Sequence, residues 1–95
     1  MNEYLLGILE DNECLTADGL DEAIIGFSYG IETRAVYDVE LILDILQQDG
    51  ETTREEAMEF FDYNIGGAYV GPKTPIFIYI TDPWLEPEIE ISLDE

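Results

Sequence analysis

Ninety-five residues, 46% of them hydrophobic and 12% aromatic, suffice for one domain whose modest core needs neither disulfide nor metal. Twenty-three Asp and Glu stand against three basic side chains, Arg34, Arg54 and Lys73, for a net charge of -20 with no histidine. That balance argues against direct nucleic-acid binding, which needs a basic footprint on the phosphates, and against anionic membrane surfaces; positively charged protein surfaces are the favoured partners. The single cysteine, Cys14, excludes an internal disulfide and fits a reducing compartment. No apolar run approaches the roughly 20 residues of a membrane span, and the first residues lack the basic start of a signal peptide, so the expected location is the cytoplasm.

Tyr4, Leu5, Ile8 and Leu9 recur at helical spacing and predict a short first helix, weakened by Gly7. Thr16-Ala-Asp-Gly19 reads as a turn. Over residues 23–29, Ile25, Phe27 and Tyr29 alternate with Gly26 and Ser28, the period of a half-buried strand, and residues 33–37 follow Gly30 as the second arm of a hairpin. Asp38 is a good N-cap for an amphipathic helix whose apolar stripe is Val39, Ile42, Leu43 and Leu46. Asp49-Gly50 ends it, and Thr52 or Thr53 caps a second helix, with Glu55 or Glu56 completing a capping box. Ala57, Phe60, Phe61 and Ile65 are its expected buried stripe and Gly66-Gly67 its stop. The short connection favours an antiparallel αα-hairpin. Residues 76–80 have the continuous apolar character of a strand covered on both faces or nearly so. In the tail, Ile89, Ile91 and Leu93 alternate with Glu88, Glu90 and Ser92, which suits either an acidic edge strand or an arm around Trp84. The expected architecture is α+β: a compact domain over 1–81, with a small, mainly antiparallel sheet covered on one face by the αα-hairpin, and an acidic arm or edge strand over 82–95.

Tyr37-Asp-Val-Glu, Leu46 through Gly50, Thr53-Arg-Glu-Glu-Ala, Tyr63-Asn-Ile-Gly-Gly-Ala-Tyr-Val-Gly71 and Thr74-Pro-Ile together resemble a group of small bacteriophage-encoded proteins. The likeness runs from about Gly26 to Ile80. It implies a fold and a phage context, in which small proteins often bind and block a host enzyme, and it transfers no site residue.

Recognisable chemistry is sparse. The segment 66–74 has the glycines, lysine and threonine of a phosphate loop in the wrong setting, following a helix rather than opening one, with Pro72 where Gly-Lys is required. The expected roles there are helix stop, turn and a solvated Lys73. Placing Gly19 at the sixth position of a calcium loop puts Cys14 first and Ile25 last, so that match fails. Without histidine there is no base for a nucleophile, and Cys14 is expected to be a small buried residue. Paired carboxylates capable of hydrolysis arise by chance among so many acids. No enzyme activity, cofactor or metal is expected, and a small carboxylate-dependent hydrolase is the weakest alternative.

The acids themselves are the remaining signal. Glu40 and Asp44 share a face of the first hairpin helix, and Glu55, Glu59 and Asp62 a face of the second. Like charges at these spacings destabilise a helix, a cost that interspersed lysines would avoid. Spread over the roughly 5,500 Å² of a globule this size, the charge averages about one per 280 Å², whereas duplex DNA carries on the order of one per 100 Å². Mimicry of DNA therefore requires one face to concentrate the carboxylates. The leading expectation is a phage-encoded, DNA-mimic-like inhibitor in the host cytoplasm. It would cover the basic nucleic-acid cleft of a host defence or nucleic-acid enzyme: a nuclease, a restriction or CRISPR component, or a polymerase-associated factor. Its expected contact residues are Glu40, Asp44, Glu55, Glu59 and Asp62, with Glu86, Glu88 and Glu90 as auxiliaries. The alternative is an interaction protein that binds through Tyr63, Tyr69 and Trp84, with acidity serving solubility. A homodimer through the sheet edge or hairpin is possible, though the charge opposes it.

Overall fold

A computed structural model describes residues 3–80. The 82–95 arm, with Trp84, Glu86, Glu88 and Glu90, lies outside the described residues. The chain runs through helix α1 (Glu3–Asp11), a 3-10 turn (Asp21–Ala23), strands β1 (Ile24–Phe27) and β2 (Ala35–Asp38), helices α2 (Val39–Leu46) and α3 (Arg54–Phe61), a π-turn (Asp62–Gly66) and strand β3 (Ile76–Ile78). This is an α+β fold whose three-stranded sheet has the order β1-β2-β3.

The connectivity explains where the helices lie. β1 and β2 form the antiparallel hairpin, but β2 and β3 are parallel. Parallel neighbours need a crossover long enough to return the chain to its starting end. The αα-hairpin is that crossover, and it packs back on the sheet through the edge-to-face contact of Phe61 with Phe77 at 5.2 Å. The sheet is thus mixed, with one pair of each kind. Asp38 ends β2 and caps α2 at once, its carboxylate accepting from the Glu40 N–H at 2.9 Å. At the next corner the Asp49 carboxylate accepts from the Glu51 N–H and then from the Thr52 hydroxyl and N–H, which holds its pKa below the ordinary range. Thr53 and Glu56 then close a reciprocal capping box on α3.

The buried cluster draws on every layer: Leu5 and Leu9 of α1, Ile24 of β1, Tyr37 of β2, Ile42 and Leu43 of α2, Ala57 and Phe61 of α3. Each large aliphatic side chain so buried contributes roughly 1.5–3 kcal/mol. Tyr37 is fully buried at its centre; its ring packs on Phe77 at 5.3 Å, and its hydroxyl accepts the Ala17 N–H at 2.7 Å. That bond ties the loop after α1 to the sheet.

Several expectations are corrected. Ile25, Phe27 and Tyr29 are exposed, whereas Ile24 is buried and paired with Tyr37, and the register slips between Ile24 and Gly26. The bulge breaks the strict alternation read over this strand: Ile24 and Phe27, three apart, pair with Tyr37 and Ala35, two apart. Phe60 is half exposed, since α3 buries only the stripe through Ala57 and Phe61 before the backbone widens into the π-turn. Among the described residues β3 is an edge strand, half-buried along its length, rather than a strand covered on both faces or nearly so; it ends at Ile78, leaving Tyr79 and Ile80 exposed. Lys73 is also not simply solvated: it donates to the Thr33 carbonyl at 3.2 Å and pairs with Glu32 at 3.2 Å.

Candidate functional site

The five acids expected to form the contact face within the described residues are all exposed. They fall into two sets with different electrostatics. Glu40, Asp44 and Gln47 line one flank of α2 and its C-cap, and Arg54, the first residue of α3, reaches back to all three. Its guanidinium donates to Glu40 Oε1 at 2.6 Å, Asp44 Oδ1 at 3.0 Å and Gln47 Oε1 at 2.8 Å. Two carboxylates on α2 therefore share one cation, and this set keeps a fraction of its formal charge.

Glu55, Glu59 and Asp62 have no such compensation. Helical spacing puts Glu55 and Glu59 on the side of α3 opposite Ala57 and Phe61, with about 6 Å of rise between them, and Asp62 follows at the C-cap. Among the described residues, none of the three has a basic partner. Among the described residues, none of the three α-helices carries a cation in its last turn, where one would complement the helix dipole.

The chain's positive side chains are all engaged within the fold. Val36, Tyr37 and Asp38 pair with Ile76, Phe77 and Ile78 at a constant offset, and side chains extend the same register beyond the strands. Arg34 Nε donates to the Thr74 carbonyl and Lys73 Nζ to the Thr33 carbonyl, each across 40 positions. Arg34 and Lys73 thus stitch the approach to β3 onto the approach to β2, while Arg54 joins the helices. Among the described residues no Lys or Arg side chain stands free to interrupt the anionic surface.

Other candidate chemistry resolves into structural roles. The Thr74 hydroxyl donates to the Gly71 carbonyl at 2.6 Å and accepts the Val70 N–H at 2.8 Å, so the glycine-rich segment closes on itself as a turn. The Cys14 thiol is half-buried and donates to the Thr33 carbonyl at 3.1 Å; burial pushes its pKa up, more than Lys73 lowers it. A protonated, hydrogen-bonded thiol is a poor nucleophile. Among the described residues no three Cys, Asp or Glu side chains gather in a way that could hold a metal ion. Likewise, no described helix is long and apolar enough to cross a membrane.

Two further features bear on binding. Tyr63 and Tyr69, the anchors of the alternative reading, are 91% and 76% exposed, and Tyr29 and Ile31 at the hairpin tip are fully exposed. An apolar groove of about 410 Å³, which sequence reasoning missed, opens between the 15–17 loop and the segment 64–70. The groove brings together residues some fifty positions apart, a juxtaposition that no local pattern signals. No protein-family model, curated protein or solved structure significantly matches the chain.

Proposed function

We propose that this protein is an acidic binding protein that covers a basic, nucleic-acid-binding surface on another protein, with carboxylates standing in for phosphates. The observation carrying this reading is that all three cationic side chains are engaged in intramolecular contacts while Glu55, Glu59 and Asp62 stand exposed and uncompensated. Their mutual repulsion along α3 costs stability, on the order of 0.2–0.5 kcal/mol per pair. A chain needing only solubility could avoid that cost with interspersed lysines. In this role the face formed by Glu55, Glu59 and Asp62 leads and the Arg54-clamped pair, Glu40 and Asp44, supports it, with Glu86, Glu88 and Glu90 as auxiliaries. Long-range attraction steers encounter, and occupancy of the cleft excludes the nucleic acid. The resemblance to phage-encoded proteins makes a host nuclease, restriction or CRISPR component, or polymerase-associated factor the partner class of choice.

The exposure of Tyr63 and Tyr69 favours a second reading, in which aromatic contacts hold the partner and acid serves solubility. Capture from host lysate at low salt, followed by elution in salt steps, distinguishes the two. The first reading expects a basic protein that elutes as salt rises and is not captured by the E55Q/E59Q/D62N variant. Equal capture by that variant would refute it in favour of the second.

A further inference from the structure

In a chain carrying 27% charged residues, the groove between the 15–17 loop and the 64–70 segment is lined by no charged side chain. Its walls include Leu15, Ala17, Ile65, Ala68 and Val70, and Phe77 joins it to the core through contacts with Tyr37 and Phe61. At about 410 Å³ it lies within the range of clefts that hold specific ligands, room for one large side chain and part of its neighbours. The groove is a built feature of the fold: one wall is held by the Ala17 N–H to Tyr37 bond and the other by the bond from the Val70 N–H to the Thr74 hydroxyl.

Acids neighbour the lining along the chain. Asp18 directly follows Ala17, and Asp62 lies two residues before Asn64, another lining residue. Both acids are exposed, and neither has a basic partner among the described residues. A neutral apolar ligand would gain nothing from these charges, and a carboxylated one would be repelled. An apolar anchor flanked by lysine or arginine suits both the lining and these neighbouring acids. We propose that the groove receives an aromatic side chain presented by a basic segment of the partner protein, adding a desolvated anchor to the electrostatic contact. This rests on the acidic-surface reading and specifies where on the partner the tight contact is made.

The test uses the full chain, ¹⁵N- and methyl-labelled, titrated with the peptides Lys-Lys-Trp-Lys-Lys and Lys-Lys-Ala-Lys-Lys. Expected are shifts at Ala17, Ala68 and Val70 with the tryptophan peptide and about tenfold tighter binding than with the alanine peptide. Ala68→Trp fills the groove from an exposed position and should erase that preference while leaving the common, salt-sensitive component. The D18N/D62N variant, which leaves the lining intact, should weaken both peptides. Equal, salt-sensitive binding of the two peptides would overturn the groove proposal and leave the acidic-surface reading standing; failure of both to bind at low salt would overturn both. Contacts from the Trp84 indole to the groove methyls in the free protein, or mass doubling that protects them, would overturn the proposal in favour of the chain's own tail or a second copy.

Discussion

The Arg54 guanidinium lies 2.6 Å from Glu40 Oε1, across fourteen residues of sequence, and the same group holds Asp44 at 3.0 Å. This fastens the start of α3 to the flank of α2 and divides the acidic residues into a compensated pair and an uncompensated row. Both side chains are about half exposed, so the bridge is screened by solvent and salt. Arg54→Ala is expected to lower stability by about 0.5–1 kcal/mol, measured by urea denaturation, with the loss shrinking as salt rises. Because Glu40 and Asp44 are then released, affinity for a basic partner should hold or increase.

The uncompensated row makes the opposite prediction. Glu59 sits between Glu55 and Asp62 at spacings of four and three residues. Glu59→Gln removes two repulsions and should raise stability by a few tenths to about 1 kcal/mol, visible as a higher melting temperature, while weakening partner binding. Such opposed signs are the mark of residues kept for function at a stability cost.

Tyr37→Phe leaves the buried ring in place but orphans the Ala17 N–H. The expected loss is about 1–1.5 kcal/mol, with faster amide exchange at Ala17. Burial pushes the Tyr37 pKa up, the Ala17 N–H opposing it and the charges of Asp21 and Asp18 adding to it. The folded state therefore favours the neutral phenol. Its contribution to stability is complete below the ordinary tyrosine range, near pH 10, and is lost as pH rises from there through the raised folded value. Alkaline denaturation curves of the Tyr37→Phe variant should lack that component.

Gly66 is required by the packing of the π-turn. A Cβ at this position would lie 2.8 Å from the Phe61 ring, which is itself wedged against Phe77. Gly66→Ala is expected to cost about 1–3 kcal/mol as an overpacking substitution, whereas Gly67→Ala, meeting only a backbone oxygen at 3.4 Å, should be milder. Thermal melts of the two variants compare them directly.

What could be read in the sequence was local. Asp38, Thr53 and Glu56 declare the helix starts because capping is decided within four residues, and Val39, Ile42 and Leu43 declare a buried stripe because a helix imposes its own period. The parallel partnership of β2 with β3 was not legible, since it joins positions 40 residues apart and its side-chain stitches, Arg34 and Lys73, look like ordinary surface cations. The register slip in β1 was not legible because a bulge between Ile24 and Gly26 has no distinctive residue to announce it. Of the candidate site, the α3 acids were visible from spacing. The Arg54 clamp and the groove over Phe77 were not, because both depend on how separate elements meet.

The central claim is that the carboxylates of α3 make the functional contact. The most direct test is the dissociation constant for the captured partner, measured across a tenfold range of salt for the native protein and for E55Q/E59Q/D62N. The account predicts a steep weakening with salt in the native protein, and both a weaker complex and a shallower slope in the variant. A salt-independent affinity, or identical slopes for the two proteins, would contradict it.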